Sequence, residues 1–434
     1  MNRVGIRRED KNRWEARIPL IPDDIARLRS EGFDIRVQSS GRRAFGDAEL
    51  AQLGVPVTAE LDDCDVVLGV KEMPPETFRR RTTYVFFSHV IKGQPYNMPM
   101  LRRLMEQECT LIDYERIVDD EGRRKVAFGF HAGLAGAIDT LWALGQRWAQ
   151  LGVQTPLERL QPAHAYGSLH AAKTAISAVA QACREDPQFE TQAPIILGVT
   201  GYGRVAQGVH EILDVLEPVE VPPEELGSVD CSRSQFVRVR FEERHFAEPL
   251  DHSPFDRERY YAEPEAFRGI FGSRYLPHLT GLFNAIYWEP RYPRLVREAD
   301  LRALYAVEHR PRLRVIGDIS CDIEGSIEVT KKATDPSEPV FVWDVDRRAA
   351  LDGFEGRGPV IMAVDILPTE LPREASEAFS SALAPLLPAL ATHDFDGGVD
   401  GLPSELRRAV ILDRGRLTAD YDYLAAHVAT APHA

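Results

Sequence analysis

The stretch from Pro194 to Leu216 constrains the fold of this chain more than any other. Ile195-Ile196-Leu197-Gly198-Val199 is a short apolar run, Gly201-x-Gly203-x-x-Ala206 is a glycine turn, and helical periodicity runs from Val205 to Leu216. That order reads as strand, turn and helix. The first glycine permits the tight turn, the second lets backbone approach a pyrophosphate, and the small third residue lets the helix pack on the strand. The helix N-terminus then points its unpaired N–H groups at phosphate. The plainer alternative is a tight βα turn with no ligand. An acid for the adenosine ribose is expected roughly 20 residues on, at the end of the next strand. That strand reads as Val219-Glu220-Val221 and ends in Pro222-Pro223, with no carboxylate at its end, although Glu224 and Glu225 are near. The absence favours NADP, with NAD as the alternative, and makes Arg233 a candidate partner for a 2′-phosphate.

The strand–helix rhythm recurs along the chain. Apolar runs at 4–6, 34–37, 65–70, 83–88, 109–113, 313–320 and 360–365 alternate with helical patterns at 22–32, 98–108, 168–184 and 373–391. An aspartate is expected to cap the helix that starts near Pro22. Gly133 to Leu151 is apolar on most faces and predicts a long buried helix joining two domains. The fold class is α/β, with two doubly wound Rossmann-like domains and an inter-domain cleft. One domain is expected from 1–130, completed by a return segment at 335–434. The other is expected at 131–334. From 229 to 312 the pattern weakens into loops, and the aromatics at 260–292 read as a satellite core. The 434 residues are enough for two or three domains.

A net charge of −15 argues against a nucleic-acid partner. Five scattered cysteines without CxxC spacing argue against a disulfide framework or a metal site and fit a reducing cytoplasm. No apolar run approaches the roughly 20 residues that cross a bilayer.

Between Val70 and Phe128 lie the residues that carry chemistry. Lys71 ends the run Val66 to Val70, and His89 ends the run Tyr84 to Ser88. Ligands of open α/β sheets sit at strand ends. A desolvated lysine beside a histidine suggests proton transfer. Glu72, Lys92 and Glu115 could tune that pair or hold ammonium groups. Taken alone, Lys71 could be a snorkelling lysine and His89 a structural histidine. Arg17 and Arg124 suit carboxylates, because a guanidinium binds both oxygens and keeps its charge. Arg124 sits in the charged run Asp119 to Lys125, which also reads as a solvated turn, and Arg123 is one residue of register away. His131, His164 and His170 read as structural.

Several strings carry a family resemblance. They include Val70-Lys71-Glu72-Met73-Pro74, Phe86-Phe87-Ser88-His89-Val90-Ile91-Lys92-Gly93-Gln94-Pro95-Tyr96-Asn97-Met98-Pro99, Gly317-Asp318-Ile319-Ser320-Cys321-Asp322 and Asp365-Ile366-Leu367-Pro368-Thr369-Glu370. The chain resembles the alanine dehydrogenase/transhydrogenase/saccharopine dehydrogenase superfamily, and more narrowly the lysine–ketoglutarate reductase portion of aminoadipate semialdehyde synthase. The resemblance runs to about residue 390. It implies an oxidoreductase that condenses L-lysine with 2-oxoglutarate and reduces the imine with NADPH to saccharopine. It implies Lys71 and His89 as the acid/base pair, and Arg17 and Arg124, with Phe128 beside them, as substrate binders. Gly203, Arg204 and Val205 match the phosphate turn, Asp365, Ile366 and Leu367 a segment closing over the cofactor, and Asp322 an acid near the nicotinamide. A lysine-forming saccharopine dehydrogenase, or a relative using another amine, is the alternative. A non-catalytic sensor of a dinucleotide or amino acid is a reading of a different class.

Overall fold

The computed structural model describes residues 1–186, 189, 194–228, 236–309 and 311–431. Arg233 lies outside the described residues. The chain divides into two compact units, Met1–Ala127 with Pro372–Ala434, and Phe128–Leu371. Each is α/β and built on an eight-stranded sheet in which parallel pairing dominates.

The first unit opens with β1 (Val4–Ile6), β2 (Ile35–Gln38), β3 (Val57–Thr58), β4 (Val66–Leu68), β5 (Thr83–Phe86) and β6 (Thr110–Asp113). These pair in parallel in the order β6-β5-β4-β1-β2-β3, so the winding reverses between β1 and β4. β1, β4, β5 and β6 are buried along their whole length, as strands covered on both faces must be. The helix Pro22–Ser30 has no side-chain cap. Pro22 takes its first position, and Asp23 and Asp24 lie in the first turn, at the positive end of the helix dipole. The expected aspartate cap is corrected accordingly.

The second unit holds β7 (Ile195–Thr200), β8 (Val219–Glu220), β9 (Phe236–Phe241), β10 (Ala247–Pro249), β11 (Phe267–Gly269), β12 (Gly281–Asn284), β13 (Val315–Asp318), β14 (Val340–Asp344), β15 (Ala349–Asp352) and β16 (Val360–Met362). Its sheet runs β15-β14-β16-β13-β12-β7-β9-β8, and the winding reverses between β7 and β12. The stretch from β16 to β8 is parallel. β10 and β11 form a separate antiparallel pair.

The helix Gly129–Gln150 lies wholly in this unit and is its spine, rather than a link joining two domains. It crosses the helix Arg204–Asp214 at backbone distance. A Cβ on Gly133 would stand 2.0 Å from the Val205 carbonyl oxygen, and one on Gly208 2.1 Å from that of Phe130. Only glycine fits either position.

Two expectations shift here. The strand next to β7 is β9, paired from Ile195↔Phe236 to Thr200↔Phe241; Val219–Glu220 is a two-residue edge strand beyond it. The return to the first unit comes at Pro372, not at 335, because β16 pairs in parallel with β13 and carries β14 and β15 with it. Arg147 ties this segment to the spine helix by donating to the carbonyls of Phe354, Gly356 and Gly358, the last two at 2.8 and 2.9 Å.

The return segment begins with the helix Pro372–Leu383, whose Ser376 and Ser380 hydroxyls accept the N–H groups of Ile18 and Ile21 at 3.0 Å. The helix expected to run to 391 breaks into a 3₁₀ turn, Ala384–Leu386, and a short helix, Leu387–Thr392. Pro385 and Pro388 lack the N–H groups that would continue it. β17 (Val410–Asp413) then adds antiparallel to β6, and β18 (Arg416–Leu417) to β17.

Candidate active site

In the first unit the polar residues gather at the carboxyl ends of β1, β4, β5 and β6, around the point where the winding reverses. Crevices of open α/β sheets form there. Lys71 and Glu72 follow β4, and His89 follows β5. The His89 Nδ1 and Glu72 Oε1 are 2.7 Å apart, and Lys11 Nζ stands 3.8 Å from Glu72 Oε2. Burial resists ionisation of Glu72, but the hydrogen bond and charge of His89, a backbone N–H and the Lys11 ammonium together outweigh it and hold the carboxyl down at about 2.

His89 has φ of +50°, a left-handed backbone unusual for a residue with a side chain. The Asn97 amide donates to the His89 carbonyl at 3.1 Å, which helps hold that conformation. The His89 ring stacks on Phe87 at 6.1 Å between centroids. Strain of this kind persists where surrounding structure over-determines it, and it concentrates at functional sites.

Lys71 is half-buried. Burial and the nearby Arg17 guanidinium both lower its proton affinity, against the pull of Glu72 and Glu15. Arg17 is itself buried and locked to Glu15, its Nε 2.7 Å from Oε1 and its Nη2 2.5 Å from Oε2. The Arg17 fork is therefore fixed in plane, and one of its effects is to push Lys71 toward the neutral amine.

Two carboxylates that sequence reasoning did not select complete the cluster. Glu9 accepts the backbone N–H groups of Val70 and Lys71, at 2.8 and 3.0 Å, and so fixes the strand end that carries Lys71. Burial pushes its carboxyl up to about 7. Asp113 accepts from the Ser88 N–H at 3.1 Å, from the Ser88 hydroxyl, and from the Glu115 N–H at 2.8 Å; burial raises its carboxyl. A signal for Glu9 was present, since it falls three residues after the apolar run of β1.

The remaining candidates divide. Arg124 pairs with Glu115. Arg123 instead pairs with Asp119 and Glu121 on the exposed turn, so the two registers are distinct. Lys92 is exposed and forms no ion pair with Glu72 or His89. Phe128 caps the spine helix of the second unit and meets His131 edge-on. Among the described residues no group of three or more His, Cys, Asp or Glu could hold a metal ion. No helix there is long and apolar enough to cross a membrane.

In the second unit the candidates line the carboxyl edge of the sheet. Gly201 has φ of +82°, and Gly203 is the N-cap of the helix Arg204–Asp214 without a side-chain cap. A Cβ on Gly203 would meet nothing within 4 Å, so the turn is open on the side where a pyrophosphate approaches. The backbone N–H groups of Arg204 and Val205 belong to that uncapped first turn. The residues present fit a dinucleotide. Asp322 is exposed in the turn after β13, and Asp365 is exposed after β16. Ile366 and Leu367 face inward, where Leu367 is buried in the core with the spine helix. Asp318 is buried at the end of β13 and held by Asn284, Ser320 and Thr330, so it is a structural anchor. Below the turn, a cavity of about 230 Å³ is walled by tyrosines and closed at one side by Glu243.

Comparison with known proteins fits this geometry. Residues 5–135 match the alanine dehydrogenase/PNT N-terminal domain. The chain is similar to the alpha-aminoadipic semialdehyde synthase of Arabidopsis thaliana, 36% identical over 443 residues, covering 97% of this chain and 41% of that protein. The mitochondrial alpha-aminoadipic semialdehyde synthase of Rattus norvegicus is 34% identical over 440 residues, covering 97% and 47%. The chain thus spans less than half the length of these relatives. The saccharopine dehydrogenase [NAD(+), L-lysine-forming] of Neurospora crassa is 28% identical over 392 residues, covering 88% of this chain and 89% of that protein. Among solved structures, an L-alanine dehydrogenase superposes with a TM-score of 0.60 at 15% identity, covering 98% and 99% of the two chains. A transhydrogenase from Sinorhizobium meliloti gives 0.54 at 13%, covering 96% and 99%. These share the fold.

Proposed function

We propose that this chain is a nicotinamide-dependent oxidoreductase that joins the ε-amine of L-lysine to 2-oxoglutarate and reduces the imine to saccharopine. The observation that carries the reading is the Lys71–Glu72–His89 cluster, in a chain that aligns over 97% of its length with a semialdehyde synthase. The substrate ammonium must lose a proton before it can attack the ketone. Lys71, disposed toward the neutral amine, accepts it. The carbinolamine hydroxyl leaves as water with a proton from His89, whose ring Glu72 orients. Arg124 is the candidate for a substrate carboxylate, and Arg17 supports Lys71 electrostatically. A nicotinamide dinucleotide, when bound, would supply the hydride, and the uncapped turn Gly201–Val205 would hold its pyrophosphate.

A second reading is favoured by coverage. The lysine-forming saccharopine dehydrogenase matches over 88% of this chain and 89% of its own length, so the same site working in the oxidative direction is the runner-up. The test is the loss of NADPH or NADH absorbance with 2-oxoglutarate and a panel of amines. Oxidation that requires both L-lysine and 2-oxoglutarate and yields saccharopine supports the first reading. Oxidation with a different amine moves the substrate. Binding of dinucleotide without turnover in either direction sinks both and favours a sensor.

A further inference from the structure

We propose that Tyr423 and His427, on the last helix of the chain, are positioning residues for the acid: they clamp the turn that follows His89 and so hold its ring at the Glu72 carboxylate. The inference rests on the proton-transfer reading above. It links His89 to side chains that lie 332 positions beyond its loop.

The loop after β5 is built to hold an unfavourable backbone. His89 leaves the strand with φ of +50°. Val90 is buried, and the Gly93 N–H donates to the Val90 carbonyl at 2.8 Å, which closes a tight turn. Gly93 is itself left-handed, with φ of +63°. The 3₁₀ turn Pro95–Asn97 then brings the chain back, so that the Asn97 amide reaches the His89 carbonyl at 3.1 Å. Asn97 ties the two ends of the loop together. A left-handed residue with a side chain still relaxes unless its surroundings fix it from more than one side.

The second side is the C-terminal helix Leu424–Thr430, for which Tyr423 is the N-cap residue. The Tyr423 hydroxyl donates to the Ile91 carbonyl at 2.6 Å. The His427 ring lies against Gly93: a Cβ there would stand 2.5 Å from Nδ1 and 2.6 Å from Cε1 and Cγ. Residues four apart share one helix face, so both side chains reach the same turn together.

The helix that carries them is anchored elsewhere. Leu424 and Val428 are buried. Arg102 donates to the carbonyls of Val428 and Ala431, the latter at 2.9 Å, and so satisfies acceptors that a helix end leaves open. Arg102 stands on the helix Met98–Glu106, which begins directly after Asn97. Upstream, the Tyr421 hydroxyl accepts from Arg116 Nε and donates to the Arg408 carbonyl, both at 2.9 Å. Tyr423 and His427 are exposed and contribute little to the core, so their side chains can be changed without emptying it.

The chemistry makes the clamp matter. An acid must stand within ~3 Å of the oxygen it protonates. A displacement of about 1 Å at a reacting group can cost on the order of 100-fold in rate. Loosening the turn should therefore slow turnover and leave the binding of substrates and dinucleotide as it was.

The experiment is steady-state kinetics of the full chain with L-lysine, 2-oxoglutarate and NADPH or NADH, beside thermal denaturation and dinucleotide binding without substrates. Tyr423→Phe is expected to lower kcat about three- to tenfold, the worth of one hydrogen bond to a carbonyl, with KM and Tm at their wild-type values. Gly93→Ala is expected to lower kcat about tenfold or more. In a His427→Ala background the same change is expected to cost about threefold or less, because the ring it strikes is gone. A role in stability alone gives the reverse, a lower Tm with kcat kept. That outcome, or wild-type kcat in both Tyr423→Phe and Gly93→Ala, or an equal Gly93→Ala loss with and without the His427 ring, overturns the clamp and leaves the Lys71–His89 reading standing. If wild type turns over no amine with either dinucleotide, that reading falls and the clamp falls with it.

Discussion

The two units use one architecture to make opposite kinds of site. Both place their candidates at the carboxyl ends of parallel strands beside a reversal of winding. In the first unit the strand ends carry buried charge: Glu15 raises the proton affinity of Glu9, and Arg17 lowers the proton affinities of both Glu15 and Lys71. In the second the strand ends carry glycine, exposed backbone and aromatic walls, with one carboxylate at the rim. The same crevice becomes proton-transfer machinery when filled with paired ions, and a shape-selective receptor when emptied of side chains. The first should be sensitive to changes of charge at constant volume, the second to changes of volume at constant charge.

The largest expected break is Lys71→Met, which keeps the length of the stem and removes the amine. Turnover should fall by about 10²–10⁴-fold while dinucleotide affinity stays the same. A parallel loss of affinity would join the two regions into one functional unit and sink the contrast. Next is Gly208→Val, which drives a side chain into the Phe130 carbonyl. It should destabilise the second unit by about 3 kcal/mol or more in chemical denaturation. If dinucleotide binding survives unchanged, the helix contact is not what shapes the turn.

Stability against pH sharpens the comparison, because each unit holds a buried carboxyl raised to about 7, Glu9 in the first and Glu370 in the second. The folded form binds the proton more tightly than the unfolded chain does. Stability should therefore be greatest below the ordinary glutamate range and decline as pH rises from there to about 7. Glu370→Gln should flatten that decline by on the order of 2 kcal/mol. Glu72, held at about 2, has the opposite sign: its contribution is full above the ordinary range and lost as pH falls toward 2. A Glu370→Gln variant with the wild-type slope would remove that carboxyl from the account. The smallest contrast is Arg124→Ala against Arg123→Ala. The first should raise KM for the oxo acid about tenfold; the second, losing an exposed ion pair, should shift stability by less than about 0.5 kcal/mol and leave KM alone. Equal KM effects would move the carboxylate site elsewhere.

Much of this was legible from sequence where burial is two-sided. β1, β4, β5 and β7 are unbroken apolar runs, and Lys71 and His89 stand out because they end such runs. β9 was missed because Arg238 and Arg240 interrupt its apolar pattern. Arg238 is buried only because Asp214 and Glu220 reach it from other elements, 2.7 Å away in the case of Asp214. Missing β9 hid Glu243, which follows that strand and lines the cavity beside the glycine turn. Glu9 and Glu15 stand in a charged stretch, Arg7 to Arg17, where nothing local marks either as buried. Glu9 is held by hydrogen bonds from residues some 60 positions on, which no local window contains, whereas the partner of Glu15, Arg17, is only two residues away and it is the burial of the pair that a window does not show. The boundary at 371 was missed because a strand's sequence does not declare which sheet it joins.

The discontinuity of the first unit has a consequence for biosynthesis. Asn2 bonds to the carbonyls of Leu390, Ala391 and His393, and β6 finds its antiparallel neighbour only at residue 410. At about 5–20 residues per second of translation, the earliest-made strands wait on the order of half a minute or more for these partners. The unit made in the middle has all of its partners first. The chain is thus expected to acquire structure from its middle outward on the ribosome, with the residues synthesised first remaining open to protease in stalled nascent chains until the last helices emerge.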